Sequence, residues 1–316
     1  MRALVAGAGA IGGWLGARLL DAGHEVTLLG RQPLADAVAA SGLHVTGLTE
    51  TTVQPQVITA PAGRYDVVFL TCKAHQTAEL GGAVAGLGDV LVTLQNGLGN
   101  AEKLRRLHER VVVALTSHGI TMEAPGRLRH AGHGVMKVGP APGIEDLADA
   151  ERVARWFEDA GLAPQLHAEM RGHIWQKAIV NAGINPVAAL HGVPNGALLE
   201  TPLAGLSEAL VREAVSLAKR ARVALPPGDL VEVTRQVCQD TATNKVSMLQ
   251  DIEAGRPTEI EQITGRMVRL AETLLVSMPR SDSVYGRVKD LEASYLGPEA
   301  AQATAWDETQ FLTDLV

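Results

Sequence analysis

Arg2-Ala3-Leu4-Val5-Ala6-Gly7-Ala8-Gly9-Ala10-Ile11-Gly12 sets a short apolar run before three glycines spaced Gly-x-Gly-x-x-Gly, and a helical pattern follows at once. Each glycine has its own physical reason: Gly7 permits a tight turn, Gly9 lets the backbone approach a pyrophosphate, and Gly12 lets the helix pack close to the strand. The helix N-terminus, with unpaired N–H groups and the positive end of its dipole, then faces the phosphates. A strand before and a helix after are the context that a dinucleotide fingerprint requires. The segment therefore predicts a βαβ unit with Gly7, Gly9, Ala10, Ile11 and Gly12 around a dinucleotide.

Working outward, Glu25 to Leu29, Asp66 to Thr71, Val90 to Leu94 and Val111 to Thr116 read as further strands, apolar without alternation. Such strands belong in a parallel sheet buried on both faces. Ile11 to Asp21, His75 to Ala85 and Ala101 to His108 supply crossover helices, so an α/β doubly wound (Rossmann-type) parallel sheet is expected. Arg127 to Val138 reads as a later hairpin, and Glu145 to Asp159 as a helix. After Ala168 the pattern turns helical throughout, with helices over Leu206 to Ala221, Asp229 to Asp240, Ile260 to Leu275 and Ser283 to Tyr295. The expected domains are 1–168, binding the cofactor, and 169–316, all-helical, binding the substrate and carrying catalysis.

The tip of the second strand selects the nicotinamide cofactor, because an acidic residue there would bind the ribose hydroxyls and a basic one suits a 2′-phosphate. This strand ends Leu28-Leu29-Gly30-Arg31, which favours NADPH. Two further strand ends, Thr71-Cys72-Lys73-Ala74-His75-Gln76 and Gln95-Asn96-Gly97-Leu98-Gly99-Asn100, lead to the same edge of the sheet. Ligands of open α/β sheets bind beyond the carboxyl ends of the strands, so Lys73, Gln76 and Asn96 join the candidates.

Trp175-Gln176-Lys177-Ala178-Ile179-Val180-Asn181-Ala182-Gly183-Ile184-Asn185 places an ammonium and two amides four residues apart, along one side of a helix. A solvent face would carry charges, yet Ala178 to Leu190 holds none, and asparagine is a poor helix former. The row therefore suggests a site for a small polar substrate. Pro186 disfavours helical geometry at Asn185, so a helix end or kink is expected there. Farther on, Thr258 and Glu261 have capping-box spacing. Glu259 lies at the margin of the apolar stripe Ile260, Ile263, Met267, Leu270, Leu274, where it can serve the helix dipole or reach a lysine equally well.

The 316 residues are 46% apolar, enough for two cores. A net charge of −7 argues against nucleic acid and anionic membranes as partners, which call for clustered Lys and Arg. No stretch reaches the ~18 uncharged apolar residues of a membrane helix. Cys72 and Cys238 are too few for a disulfide framework, and a soluble, cytoplasmic protein is expected. His118, His130, His133, His173 and His191 form no recognisable ligand spacing, so no metal is expected. A homodimer is compatible with an exposed helical domain.

Taken together, Gly7-Ala8-Gly9-Ala10-Ile11-Gly12, Lys73-Ala74-x-Gln76, Gln95-Asn96-Gly97, Lys177-x3-Asn181-x3-Asn185-Pro186 and Ser247-x2-Gln250-Asp251 with Gly255-Arg256-x-Thr258-Glu259-Ile260 resemble the ketopantoate reductase family. The resemblance runs through nearly the whole chain. It implies a Rossmann domain, a helical domain like that of 6-phosphogluconate dehydrogenase, and an active site in the cleft between them. It further implies that Lys177 is the general acid in reduction of 2-dehydropantoate to (R)-pantoate by NADPH, and that Glu259 supports it. Asn181, Asn185 and Ser247 would bind the substrate, Asn96 would position the reactants, and Arg31 and Lys73 would contact the cofactor. A reductase of another small 2-keto acid, or a noncatalytic NADPH-binding regulator, would share many of these features.

Overall fold

The structure is a computed structural model that describes residues 1–297; the end of the expected 169–316 domain lies outside the described residues. The chain divides into two compact units, one of Met1–Gln95 with Asn100–Met170, the other of Asn96–Gly99 with Arg171–Val316.

In the first unit the order is β1 (Arg2–Ala6), α1 (Ala10–Asp21), β2 (Glu25–Leu29), α2 (Gln32–Ser41), β3 (Leu43–Gly47), β4 (Thr51–Val53), β5 (Gln56–Ile58) and β6 (Val67–Leu70). Then come α3 (Thr77–Val84), β7 (Leu91–Thr93), α4 (Asn100–Leu107), β8 (Val111–Thr116), β9 (Gly119–Ala124), β10 (Arg127–Gly132), β11 (Met136–Pro140), α5 (Ala148–Asp159) and β12 (Gln165–Leu166). The large sheet runs β12-β11-β8-β7-β6-β1-β2-β5. Its six strands from β5 to β8 are all parallel, in the order of a doubly wound dinucleotide fold, and β11 joins β8 antiparallel. β6, β7 and β8 are buried at every position, which is why their sequences are continuously apolar.

A second sheet, β4-β3-β10-β9, packs against α1. It corrects the expected Arg127 to Val138 hairpin, whose two halves belong to different sheets. Arg127–Gly132 alternates exposed and buried residues and suits a sheet with one wet face; Met136–Pro140 is apolar nearly throughout and enters the large buried sheet. Between this sheet and α1 sits the fully buried Trp14, with the His118 ring 4.8 Å and the His130 ring 5.3 Å away.

The second unit is helical among the described residues: α6 (Arg171–His191), α7 (Leu203–Arg220), α8 (Leu230–Asp240), α9 (Ser247–Glu253), α10 (Arg266–Leu274) and α11 (Pro279–Leu296). Glu261–Gly265, just before α10, is wound as a π-helix. α6 is the axis of this unit and packs against α7, α8, α9 and α11. It also corrects the expectation that the helix ends at Pro186, since it runs on to His191 with Pro186 inside it. Pro186 offers no N–H to the preceding turn, but packing of the surrounding helices outweighs that local loss.

Candidate active site

In the first unit the glycine loop is fixed from two sides. The N–H groups of Gly7 and Ala8 both donate to the Leu29 carbonyl at the end of β2, at 3.1 Å each. From the end of β6, the Thr71 hydroxyl donates to the Gly7 carbonyl at 2.9 Å. Gly7 has φ +95°, and a Cβ there would overlap the Cys72 backbone; a Cβ at Gly12 would overlap Thr71. These two glycines are demanded by the protein itself. Gly9 is not, since a Cβ there would meet only the Gly7 carbonyl oxygen, at 3.8 Å. Open space over the second glycine, with no side chain capping the N-terminus of α1, fits the close approach of a pyrophosphate. Ala10 and Ile11 begin α1, and Arg31, exposed, follows β2 and Gly30 at the N-cap of α2.

Lys73 and Gln76, both partly buried, flank the short turn after β6. A buried amide braces that turn: the Gln95 amide donates to the Cys72 carbonyl at 3.1 Å and to the Thr77 hydroxyl at 2.7 Å. The Thr77 hydroxyl donates in turn to the Asn100 carboxamide oxygen at 3.0 Å. The sequence pattern alone assigns no role to Thr71, Thr77 or Asn100. The available signal is an uncharged polar residue where strand passes to helix, Thr71 just after β6 and Thr77 and Asn100 opening α3 and α4, since a hydroxyl or amide there can satisfy loop backbone groups.

In the second unit Lys177, Asn181 and Asn185 stand at successive i, i+4 positions of one unbroken helix. Lys177 and Asn181 are partly buried and Asn185 is buried, so the row deepens toward the core. Part of the Lys177 side chain is accessible, yet loss of hydration around its ammonium dominates and pushes its pKa down to about 8, against the upward pull of the Glu259 carboxylate. Glu259 is buried, at 5% exposure, and accepts a hydrogen bond from the Asn96 amide at 3.3 Å. Asn96, Lys177 and Glu259 are thus coupled within this unit. Ser247 is exposed at the first residue of α9, which packs on α6.

The rest of the Ser247 to Ile260 motif builds the turn that presents Glu259. Asp251, 3% exposed, accepts from the Arg256 guanidinium at 3.1 Å, and the Tyr295 hydroxyl donates to the Arg256 carbonyl at 3.0 Å. The expected capping box forms only by half. The Thr258 hydroxyl accepts from the Ile260 N–H at 3.2 Å, but the Thr258 N–H donates to Glu292 at 2.7 Å, while the Glu261 carboxylate accepts from the Tyr285 hydroxyl at 2.6 Å and from Arg269. A cation and a phenol hold a buried carboxylate more strongly than one backbone amide would. Among the described residues no group of three His, Cys, Asp or Glu side chains is disposed to hold a metal ion.

This arrangement has clear relatives. The sequence profile of ketopantoate reductase PanE/ApbA matches residues 3–143, and that of its C-terminal domain matches residues 169–292. The 2-dehydropantoate 2-reductase of Pyrococcus abyssi is 32% identical over 300 residues, covering 93% of this chain and 98% of that protein. The 2-dehydropantoate 2-reductase of Halobacterium salinarum is 36% identical over 291 residues, covering 88% and 95%. Among solved structures, a PanE/ApbA family ketopantoate reductase from Ralstonia eutropha superposes with a TM-score of 0.86 at 26% identity, covering 94% of this chain and all of that one. Profiles spanning most of the chain, and relatives matched almost end to end, establish that the chain belongs to the ketopantoate reductase family of oxidoreductases.

Proposed function

We propose that this protein reduces 2-dehydropantoate to (R)-pantoate with NADPH, a step toward pantothenate and coenzyme A, and that Lys177 is the general acid. The observation that carries the reading is a lysine whose pKa burial lowers to about 8, electrostatically coupled to the buried Glu259 on a helix that also bears Asn181 and Asn185. The names of the relatives supply the keto acid.

A reduced nicotinamide, cradled through its phosphates by Gly7, Gly9, Ala10, Ile11 and Gly12, supplies the hydride when bound. As the C2 carbonyl accepts that hydride its oxygen gains negative charge. Lys177 stabilises the charge and transfers its proton to that oxygen, completing the alcohol; it then recovers a proton from solvent. Glu259 keeps the ammonium charged until the transfer. Asn181, Asn185 and Ser247 hydrogen-bond the carboxylate and hydroxyl of the substrate, and Asn96 orients the reactants while holding Glu259. Lys73 and Gln76 line the cofactor side, and Arg31 pairs with the 2′-phosphate.

The test follows NADPH oxidation with ketopantoate, 2-ketoisovalerate and pyruvate in parallel. Ketopantoate should give the highest kcat/KM. Turnover confined to the other two acids would replace the substrate, and none with any of the three would leave a cofactor-binding regulator. Arg31→Ala should weaken NADPH about tenfold or more while leaving NADH nearly unchanged, as expected for loss of one charge-assisted phosphate contact. Equal losses for both cofactors would remove Arg31 from the 2′-phosphate.

A further inference from the structure

Four residues from the sequence between β7 and α4, Asn96–Gly99, belong to the helical unit, and their anchorage there is specific. The Leu98 side chain is fully buried in the core of that unit, among residues of α6 to α11. Its backbone is held at both ends. The Leu98 N–H donates to the Gln262 carbonyl at 3.0 Å, and the Leu98 carbonyl accepts from the Arg266 guanidinium.

The receptor is built by the π-helical turn Glu261–Gly265. Such a turn takes carbonyls out of the regular i→i−4 ladder and makes them available to other donors. Gln262 uses its carbonyl in this way, and the turn brings Arg266 inward to 4% exposure. A buried guanidinium is costly unless its donors are matched, so its grip on the Leu98 carbonyl is a committed contact. The segment accommodates this close approach with φ of +86° at Gly97 and +81° at Gly99, and a Cβ at Gly99 would overlap the guanidinium itself. Two residues before Leu98 stands Asn96, whose amide reaches Glu259.

We propose that Arg266 is a positioning residue for the reduction: by holding the Leu98 carbonyl it fixes Asn96 on Glu259, and so steadies the carboxylate electrostatically coupled to Lys177. Arg266 touches neither substrate nor cofactor in this scheme and acts only through Asn96. The inference rests on the roles of Asn96, Glu259 and Lys177 proposed above.

The test compares Asn96→Ala, Arg266→Met, Arg266→Lys and the double variant Asn96→Ala/Arg266→Met, with kcat, KM for ketopantoate, NADPH affinity and thermal midpoint measured for each. Arg266→Met should lower kcat about tenfold or more with NADPH affinity nearly unchanged, and the double variant should be no slower than Asn96→Ala, because both changes break one chain of contacts. Arg266→Lys, which keeps a donor for the Leu98 carbonyl, should recover much of the loss. Multiplying losses in the double variant, or a wild-type kcat in Arg266→Met beside an impaired Asn96→Ala, would overturn the positioning role alone. Full kcat in Asn96→Ala would remove the site reading on which that role depends. Should Arg266→Met fail to fold, Gly99→Ala displaces the same guanidinium and enters the same comparison.

Discussion

Lys177 at a pKa of about 8 is still largely charged at neutral pH, yet gives up its proton far more readily than an exposed lysine near 10.5. An acid must be protonated to act, so kcat/KM for the reduction should be level below about pH 7 and fall about tenfold per unit above about pH 8. Glu259 raises this pKa, so Glu259→Gln should move the falling limb to lower pH. A limb that stays in place when that charge is gone would show the two groups to be uncoupled. Lys177→Ala should lose most turnover and keep NADPH binding. The Lys177, Asn181, Asn185 row was legible because i, i+4 spacing and the absence of charge between them are written in the sequence. Glu259 was only half legible, since a first-turn carboxylate serves a helix dipole as well as a lysine; its burial and its bond from Asn96 support the second role, the one proposed above. Arg266 was not legible at all. It precedes Met267 in an ordinary amphipathic pattern, and only the π-helical turn before it aims it inward.

Among the elements, the inner strands β1, β2, β6, β7 and β8 were readable because both of their faces are largely dry. The small sheet was not, because it is assembled from short strands at residues 43–53 and 119–132 with one wet face each. That sheet carries a testable liability. His118 faces Trp14, shares a 3.1 Å ring contact with His130, and also feels His133 and Arg18. Burial, with those neighbouring cations, pushes its pKa down to about 4 from an ordinary 6.5. The unfolded chain therefore binds this proton more readily. The stability gained by keeping the ring neutral is whole above about pH 6.5 and is lost as the pH falls toward about 4. The thermal midpoint should decline across that window, and less steeply in His118→Gln than in the wild type. Equal slopes would place the acid sensitivity elsewhere.

At the scale of the whole molecule, no helix among the described residues is long and apolar enough to cross a membrane. Both edges of the large sheet are closed off by very short strands, the three residues of β5 and the two of β12, which limits what another chain could pair with. The alternation of strand and helix up to residue 168, and the helical pattern after it, were legible from periodicity because each element has one repeat and one length. The reassignment of Asn96–Gly99 was not, since a four-residue stretch between a strand and a helix reads simply as a loop. That excursion makes the boundary in sequence different from the boundary in space. A recombinant that joins residues 1–170 of one such reductase to the remainder of another would give the loop and its receptor different ancestry. Asn96–Gly99 must therefore be inherited together with Gln262 and Arg266, and the natural unit of exchange is neither half of the chain.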